Sequence, residues 1–336
     1  MKLPHGKIPI NILSEVVFKN LGAKREEVVL GSSVGIDGAV INIGNKSFIV
    51  SMDPITGALE RIGWEAVNVN ANDIATFGVE PAFLISCILL PENADKRIIE
   101  TICTQLNEAA TILGMAIVGG HCEVTPGLTN PVVVGCAIGV TEKGNYITAA
   151  GAKPKNKLIL TKSAGIEGTS ILATDRQKQL EKTLSTETLR NAKNLYKQIS
   201  IVKEAVTAYK IGGVHAMHDP TEGGIAGGIH EMADASNLSV KIYEEKIHIK
   251  PETIEICRFF KIDPLQLIAS GSLLIAAQPD SAEEIVNVLR RDKIPAEIIG
   301  EFHTQPQRRE IIRKNGKTEK LVRPTSDHLW LALEKT

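Results

Sequence analysis

Asn68-Val-Asn-Ala-Asn-Asp-Ile-Ala-Thr-Phe-Gly78 sets three asparagines and one acid inside an otherwise apolar helical pattern. Ala66, Val67, Ile74 and Ala75 supply the apolar members, which leaves Asn72 and Asp73 facing a place where a folded core would put a hydrophobe. A buried carboxylate is costly unless a cation or several donors meet it. Asp73 is therefore either capped inside the fold or neutralised by a metal ion.

Upstream of this helix, which the pattern starts near residues 57–63, lies a hairpin. The glycine-rich turn Gly31-Ser-Ser-Val-Gly-Ile-Asp-Gly38 leads into predicted strands over 39–43 and 48–52, joined by Gly44-Asn45. Asp37 stands just before the first strand and Asp53 just after the second, so an antiparallel pairing brings both to one edge. Either alone reads as a turn residue, Asp53-Pro54 especially. An apolar spacing near three and four predicts a first helix over 9–22, closed by Gly22. Downstream come a strand over 83–90, an amphipathic helix over 96–113 and a short strand over 115–118. That strand delivers Gly119-Gly-His-Cys-Glu-Val-Thr-Pro126, where Gly119 and Gly120 would let backbone approach a ligand and His121 and Glu123 emerge at a strand end. A further buried strand spans 131–140.

Residues 141–156 are small, polar and turn-rich, and the domain junction is placed there: 1–150 as an N-terminal domain, 151–336 as a C-terminal one. The second half opens with a strand over 157–161, a glycine-rich exit over 162–169 and a charged helical region over 175–210. His215-Ala-Met-His-Asp-Pro-Thr-Glu-Gly-Gly224 follows. Asp219 or Thr221 can cap a helix starting at Gly223 or Gly224, whose free amides suit an anion, phosphate above all. The remainder reads as strand, helix and strand over 267–276, 282–291 and 296–302, then a basic strand pair and a short final helix.

With 38 basic and 39 acidic residues in 336, the net charge of -1 gives no electrostatic case for nucleic acid or an anionic membrane. No apolar run reaches membrane-span length and the N-terminus lacks a secretory core, so a cytoplasmic location is expected. The five cysteines are scattered and odd in number, which argues against a disulfide framework. A transition-metal site at His121, Cys122, His215 and His218 is the non-nucleotide alternative. Asp37, Asp53, Asp73 and Glu123 together would make an all-oxygen site suited to magnesium, and glycine-rich backbone at 119–120, 165–168 and 223–224 offers amides to phosphates. The sum is a magnesium–nucleotide site without a Walker loop or a dinucleotide fingerprint.

Ile36-Asp-Gly-Ala-Val, Ser51-Met-Asp, Asn70-Ala-Asn-Asp-Ile-Ala, Gly119-Gly-His-x-Glu-Val-Thr and His218-Asp-Pro-Thr-x-Gly-Gly-Ile-Ala, in this order, resemble the aminoimidazole-ribonucleotide synthetase superfamily. That group includes selenophosphate synthetase, thiamine-monophosphate kinase, formylglycinamidine synthetase and a hydrogenase-maturation protein that dehydrates a carbamoylated cysteine. The resemblance implies two α/β (α+β) domains and a homodimer whose N-terminal domains pair into a shared β-barrel, with Mg-ATP near the subunit interface. It implies magnesium at Asp37, Asp53 and Asp73, nucleotide contacts around Asn70, Asn72, Asp219 and Thr221, and chemistry at Asp73, His121 and Glu123. Family members use ATP to phosphorylate an oxygen or selenium so that it becomes a leaving group. The His-Asp-Pro-Thr-x-Gly-Gly run is most similar to the hydrogenase-maturation branch, with Glu222 in place of that branch's arginine. That branch acts on its own C-terminal cysteine, whereas the last cysteine here is Cys257. The implied protein is an ATP- and magnesium-dependent enzyme whose acceptor is an unassigned small molecule or protein tail. The alternatives are a non-catalytic nucleotide-binding maturation or regulatory protein and a small-molecule kinase.

Overall fold

The computed structural model describes residues 3, 6, 8–33, 37–57, 59–305 and 308–334. They group into two units, one of residues 25–31 and 37–146, the other of residues 1–24, 32–36 and 147–336. The change between units at 146/147 falls within the turn-rich stretch 141–156. The described residues among 1–24 group with the larger unit of residues 147–336 rather than with residues 37–146. Val34, Gly35 and Ile36 of the predicted glycine-rich turn lie outside the described residues.

The N-terminal unit is a mixed sheet with helices on one face. Its strands are β1 (Val28–Leu30), β2 (Ala39–Ile43), β3 (Lys46–Ile55), β4 (Pro81–Leu90), β5 (Ala116–Val124) and β6 (Val132–Glu142), in the spatial order β1-β2-β3-β6-β4-β5. Every pair is antiparallel except β4–β5, which is parallel and joined by the helix Lys96–Ile112. Asp95 caps that helix, its carboxylate accepting from the amides of Arg97 and Ile98. The helix Ile62–Thr76 packs on β3 and β6 and against Lys96–Ile112. Almost every residue along it is buried, polar ones included, as its lack of a polar stripe requires.

Along β3, alternation turns Ser47, Ile49, Ser51 and Asp53 toward the helix and leaves Phe48, Val50 and Met52 on the other face. β3 runs further than the predicted 48–52, because the ladder with β6 continues to Asp53↔Gly135 and Ile55↔Val133. Pro54 is tolerated there since β2 has already ended on that side. The opposite face is open and apolar: Met52 is 64% exposed, Phe83 38% and Ile85 41%. Two other expectations change. The predicted first helix over 9–22 is a short helical run over Ile10–Ile12 and Leu13–Val17, with Val16 and Val17 exposed and no core face to hold a longer helix. The strand predicted to stop at 118 continues through Gly119 and Gly120 to Val124.

The C-terminal unit is a seven-stranded sheet in the order β13-β12-β9-β11-β7-β10-β8, from β7 (Lys157–Thr161), β8 (Val214–His218), β9 (Ser239–Tyr243), β10 (Leu274–Ala277), β11 (Ala296–His303), β12 (Arg309–Ile312) and β13 (Thr318–Lys320). Leu158, Leu160, Ala216, Leu274 and Phe302 form a core with Ile225, Ile229 and Met232 of the helix Gly224–Ala235. Ile159, Met217 and Ile275 share a register position on the other face and are also fully buried, so the sheet is covered on both sides. Each such side chain contributes about 1.5–3 kcal/mol by leaving water. Among the described residues no helix is long and apolar enough to cross a membrane. All five cysteines are free.

Candidate active site

The hairpin β2–β3 and the helix Ile62–Thr76 bring Asp37, Ser51, Asp53 and Asp73 to one end of the N-terminal sheet. Asp73 is only 5% exposed, and the Ser51 hydroxyl lies 2.6 Å from its Oδ2 and 2.5 Å from the carbonyl oxygen of Asp37. One hydroxyl proton serves two acceptors, so Ser51 ties the segment before β2, the strand β3 and the helix to a single atom. Asn70 fixes the neighbouring strand: its Oδ1 accepts from the Asp53 amide at 2.8 Å, and its Nδ2 donates to the carbonyls of Asp53 at 3.2 Å and Ala66 at 2.8 Å. Gly135 lies opposite Asp53 on β6, and a Cβ there would come within 2.4 Å of Asn70 Nδ2. The clamp therefore needs glycine at 135. Asn72 is fully buried, and Asn68 Nδ2 donates to the carbonyl of Trp64 at 2.9 Å.

This donor set is all oxygen, with carboxylates on three different segments and a hydroxyl among them. Oxygen donors of this kind suit a hard divalent cation rather than a soft metal. The Asn70 side chain, which the resemblance set against the nucleotide, is instead spent on the backbone of Asp53.

Glu123 stands elsewhere. β5 is the sheet edge, three strand steps from β3, or roughly 14 Å at the usual strand spacing. The ladders also fix its face: Asp53 pairs with Gly135 and Gly135 with Ser86, whereas Glu123 pairs with Leu89, an odd number of residues from Ser86. His121 and Glu123 thus lie on the open apolar face and Asp53 on the helix-covered face. One chain alone does not bring Glu123 to the aspartates, which corrects the four-carboxylate set read from the sequence. On β5 the His121 Nε2 lies 3.0 Å from Glu123 Oε2, and the Thr125 hydroxyl donates to Oε1 at 2.7 Å. Thr125 first and His121 second hold the Glu123 carboxyl below its ordinary range. Gly120 is explained by the ladder, because a Cβ would sit 1.9 Å from the Ser86 carbonyl oxygen.

In the C-terminal unit His218 closes β8, fully buried, with its Nε2 2.7 Å from Glu231 Oε2, and Asp219 beside it is equally buried. The amides expected to be free at the start of helix Gly224–Ala235 are engaged. Gly223 donates to Asp327 Oδ2 at 2.7 Å and Gly224 to the carbonyl of Thr221 at 3.0 Å. The anion at this helix start is the protein's own Asp327, whose Oδ1 also accepts from the Leu329 amide at 2.6 Å. Burial, aided by the nearby Glu222 charge, pushes the Asp327 carboxyl up to about 6. The transition-metal alternative finds no support in β8: His215 bonds Asn156 and Gln278, and His218 bonds Glu231.

Ser51, Thr125, Glu231 and Asp327 were not singled out as site residues from the sequence. Only Ser51 carried a local signal, the alternation Ile49, Ser51, Asp53 along one strand face.

Residues 35–141 match the family model of the AIR synthase related protein N-terminal domain, and residues 153–312 that of its C-terminal domain. The chain belongs to the AIR synthase-related family. Within it, similarity extends to a hydrogenase expression/formation protein of Methanocaldococcus jannaschii, 28% identical over 304 residues and covering 88% of each chain. The carbamoyl dehydratase HypE of Rhizobium leguminosarum bv. viciae is 28% identical over 270 residues, covering 79% of this chain and 74% of that one. Among solved structures, the hydrogenase maturation protein HypE in complex with ATP superposes with a TM-score of 0.74 at 20% identity, over 97% of this chain and 98% of that one.

Proposed function

We propose that this protein is an ATP- and magnesium-dependent enzyme that activates an amide-type oxygen by phosphoryl transfer, a dehydratase of the carbamoyl kind. The observation that carries the reading is the placing of Asp37, Asp53 and Asp73 at one end of the N-terminal sheet, with the Ser51 hydroxyl bridging the Asp73 carboxylate and the Asp37 carbonyl, in a chain whose relatives include carbamoyl dehydratases. Magnesium bound there would neutralise the phosphate charge. The substrate amide oxygen attacks the γ-phosphorus and ADP leaves. The amide nitrogen then gives up its protons while the carbon–oxygen bond to phosphate breaks, so that a nitrile and inorganic phosphate form and the elements of water end on phosphate. Positioning and charge neutralisation do most of this work.

His121 and Glu123 enter the same site from a second copy. The open face bearing Met52, Phe83 and Ile85 is the kind of apolar sheet surface that a soluble protein covers with a partner, and pairing two such faces makes a closed barrel. Glu123, held ionised by Thr125 and His121, then serves as proton acceptor or metal ligand across the interface. The acceptor substrate is a carboxamide on a small molecule or a protein tail. Cys257 is not a candidate carrier, since it is buried and its thiol is pushed up to about 12.

Complementation tests the shared site. Asp73→Ala and Glu123→Gln, each inactive alone in ATP-dependent nitrile formation followed by mass spectrometry, should regain turnover when mixed and allowed to exchange subunits. If the mixture stays inactive while exchange is demonstrated, the two groups do not share a site.

A further inference from the structure

The C-terminal unit contains a recess of about 430 Å³ that the reading above leaves unused, lined by His230, Asp234, Arg309, Lys320, Val322 and Arg323. Its volume lies within the range of small-molecule sites. His230 and Asp234 stand one turn apart on the helix Gly224–Ala235, and Arg309 opens β12 on the sheet face that this helix covers. Arg323 and Val322 come from the segment that follows β13.

The polar groups here are only half matched. Arg309 is 7% exposed, yet its hydrogen bonds go to Asp234 Oδ1 at 2.6 Å and the Arg308 carbonyl at 3.2 Å, and its buried Nε has no acceptor among the described residues. Arg323 takes the other oxygen of the same carboxylate. A single Asp234 thus serves two guanidiniums, each of which can grip an oxyanion with two parallel bonds. Lys320 adds a third positive charge at the rim, with Glu310 opposite it across the β12–β13 ladder. His230 lends no further charge. Its Nε2 faces the Leu321 carbonyl at 3.1 Å and so carries the proton, and burial followed by the Arg323 charge pushes the imidazole down to about 4. The lining therefore has three cations against one carboxylate around a neutral imidazole whose Nδ1 bears a lone pair. A buried guanidinium short of acceptors is costly in a closed fold and useful in a binding site.

We infer that this recess binds a phosphate-bearing small molecule, whose oxygens bridge Arg309 and Arg323 in competition with Asp234. A phosphate dianion offers enough acceptors for both forks, which one carboxylate does not. Val322 gives the rim an apolar contact for the rest of the molecule.

The test is calorimetric titration of the full chain with inorganic phosphate, with citrate and acetate as comparison arms. Arg323 is half exposed, so Arg323→Gln should fold normally and weaken phosphate binding about ten-fold, the equivalent of one charged contact. Asp234→Asn, if it folds, should bind phosphate more tightly because the competing carboxylate is gone. Asp73→Ala should bind phosphate as the native chain does, which separates this recess from the proposed nucleotide site. The inference is overturned if phosphate gives no binding heat in the native chain, if Arg323→Gln binds as tightly as the native chain, or if Asp73→Ala abolishes the binding. Acetate or citrate binding as well as phosphate would overturn the phosphate assignment.

Discussion

The two faces of the N-terminal sheet carry similar residues under opposite conditions. On the helix-covered face Asp73 and Asp53 are held by Ser51 and Asn70, with donors fixed by the backbone of three segments. On the open face His121, Glu123 and Thr125 hold one another along a single edge strand. The first arrangement is built by folding, its side chains engaged with three segments of the chain itself. The second is exposed, its groups bonded only to one another. Burial therefore separates the groups whose loss should damage the fold from those whose loss should damage turnover alone.

The sharpest way to break this contrast is Asn70→Ala. It removes three hydrogen bonds worth about 1 kcal/mol each, so chemical denaturation should show a loss of roughly 3 kcal/mol. A loss near zero would mean that Asn70 does not organise Asp53. Buried and exposed carboxylates can be set against each other by pH. Asp327 is raised from 3.8 to about 6 in the folded chain. The unfolded chain therefore gives up this proton first, and native stability falls as pH rises between those values, by an amount on the order of 3 kcal/mol. Asp327→Asn should flatten that part of the stability curve, and an unchanged slope would refute the assignment.

Gly135→Ala drives a methyl group into Asn70 Nδ2. The expected cost is about 2 kcal/mol, readable as a lower melting temperature, whereas the same change at exposed Gly57, which has open space around it and, like Gly135, no positive φ, gives the control. Ser51→Ala leaves Asp73 one donor short and should cost about 1 kcal/mol. Smallest in stability are His121→Ala and Glu123→Gln, which should leave the melting temperature unchanged while turnover falls. A large melting shift in either would place them in the folded framework after all.

Legibility in the sequence followed the same division. Asp73 stood out because an acid in an apolar helix has no cheap structural reason, and Asp37 and Asp53 followed from hairpin geometry. Strand and helix order was readable from periodicity almost throughout. Gly119 and Gly120 misled, since the pair reads as a strand end where backbone nears a ligand, whereas the edge strand runs through both and Gly120 lies too close to the Ser86 carbonyl for a side chain. The face of Glu123 was hidden because parity along β5 depends on ladders through β4 and β6, which no local pattern encodes. Asp327 capping Gly223 joins residues 104 apart in the chain, and only the tertiary fold brings them together. The first helix failed for want of a core to bury it.

The central claim is that the carboxylates on the covered face hold the cation of a nucleotide. Calorimetric titration of ATP, with and without magnesium, into the native chain and Asp73→Ala tests it most directly. The account predicts magnesium-dependent binding in the native chain, weakened about a hundred-fold in the variant, or about 2.7 kcal/mol. Equal affinity in the two chains, or binding indifferent to magnesium, would contradict it.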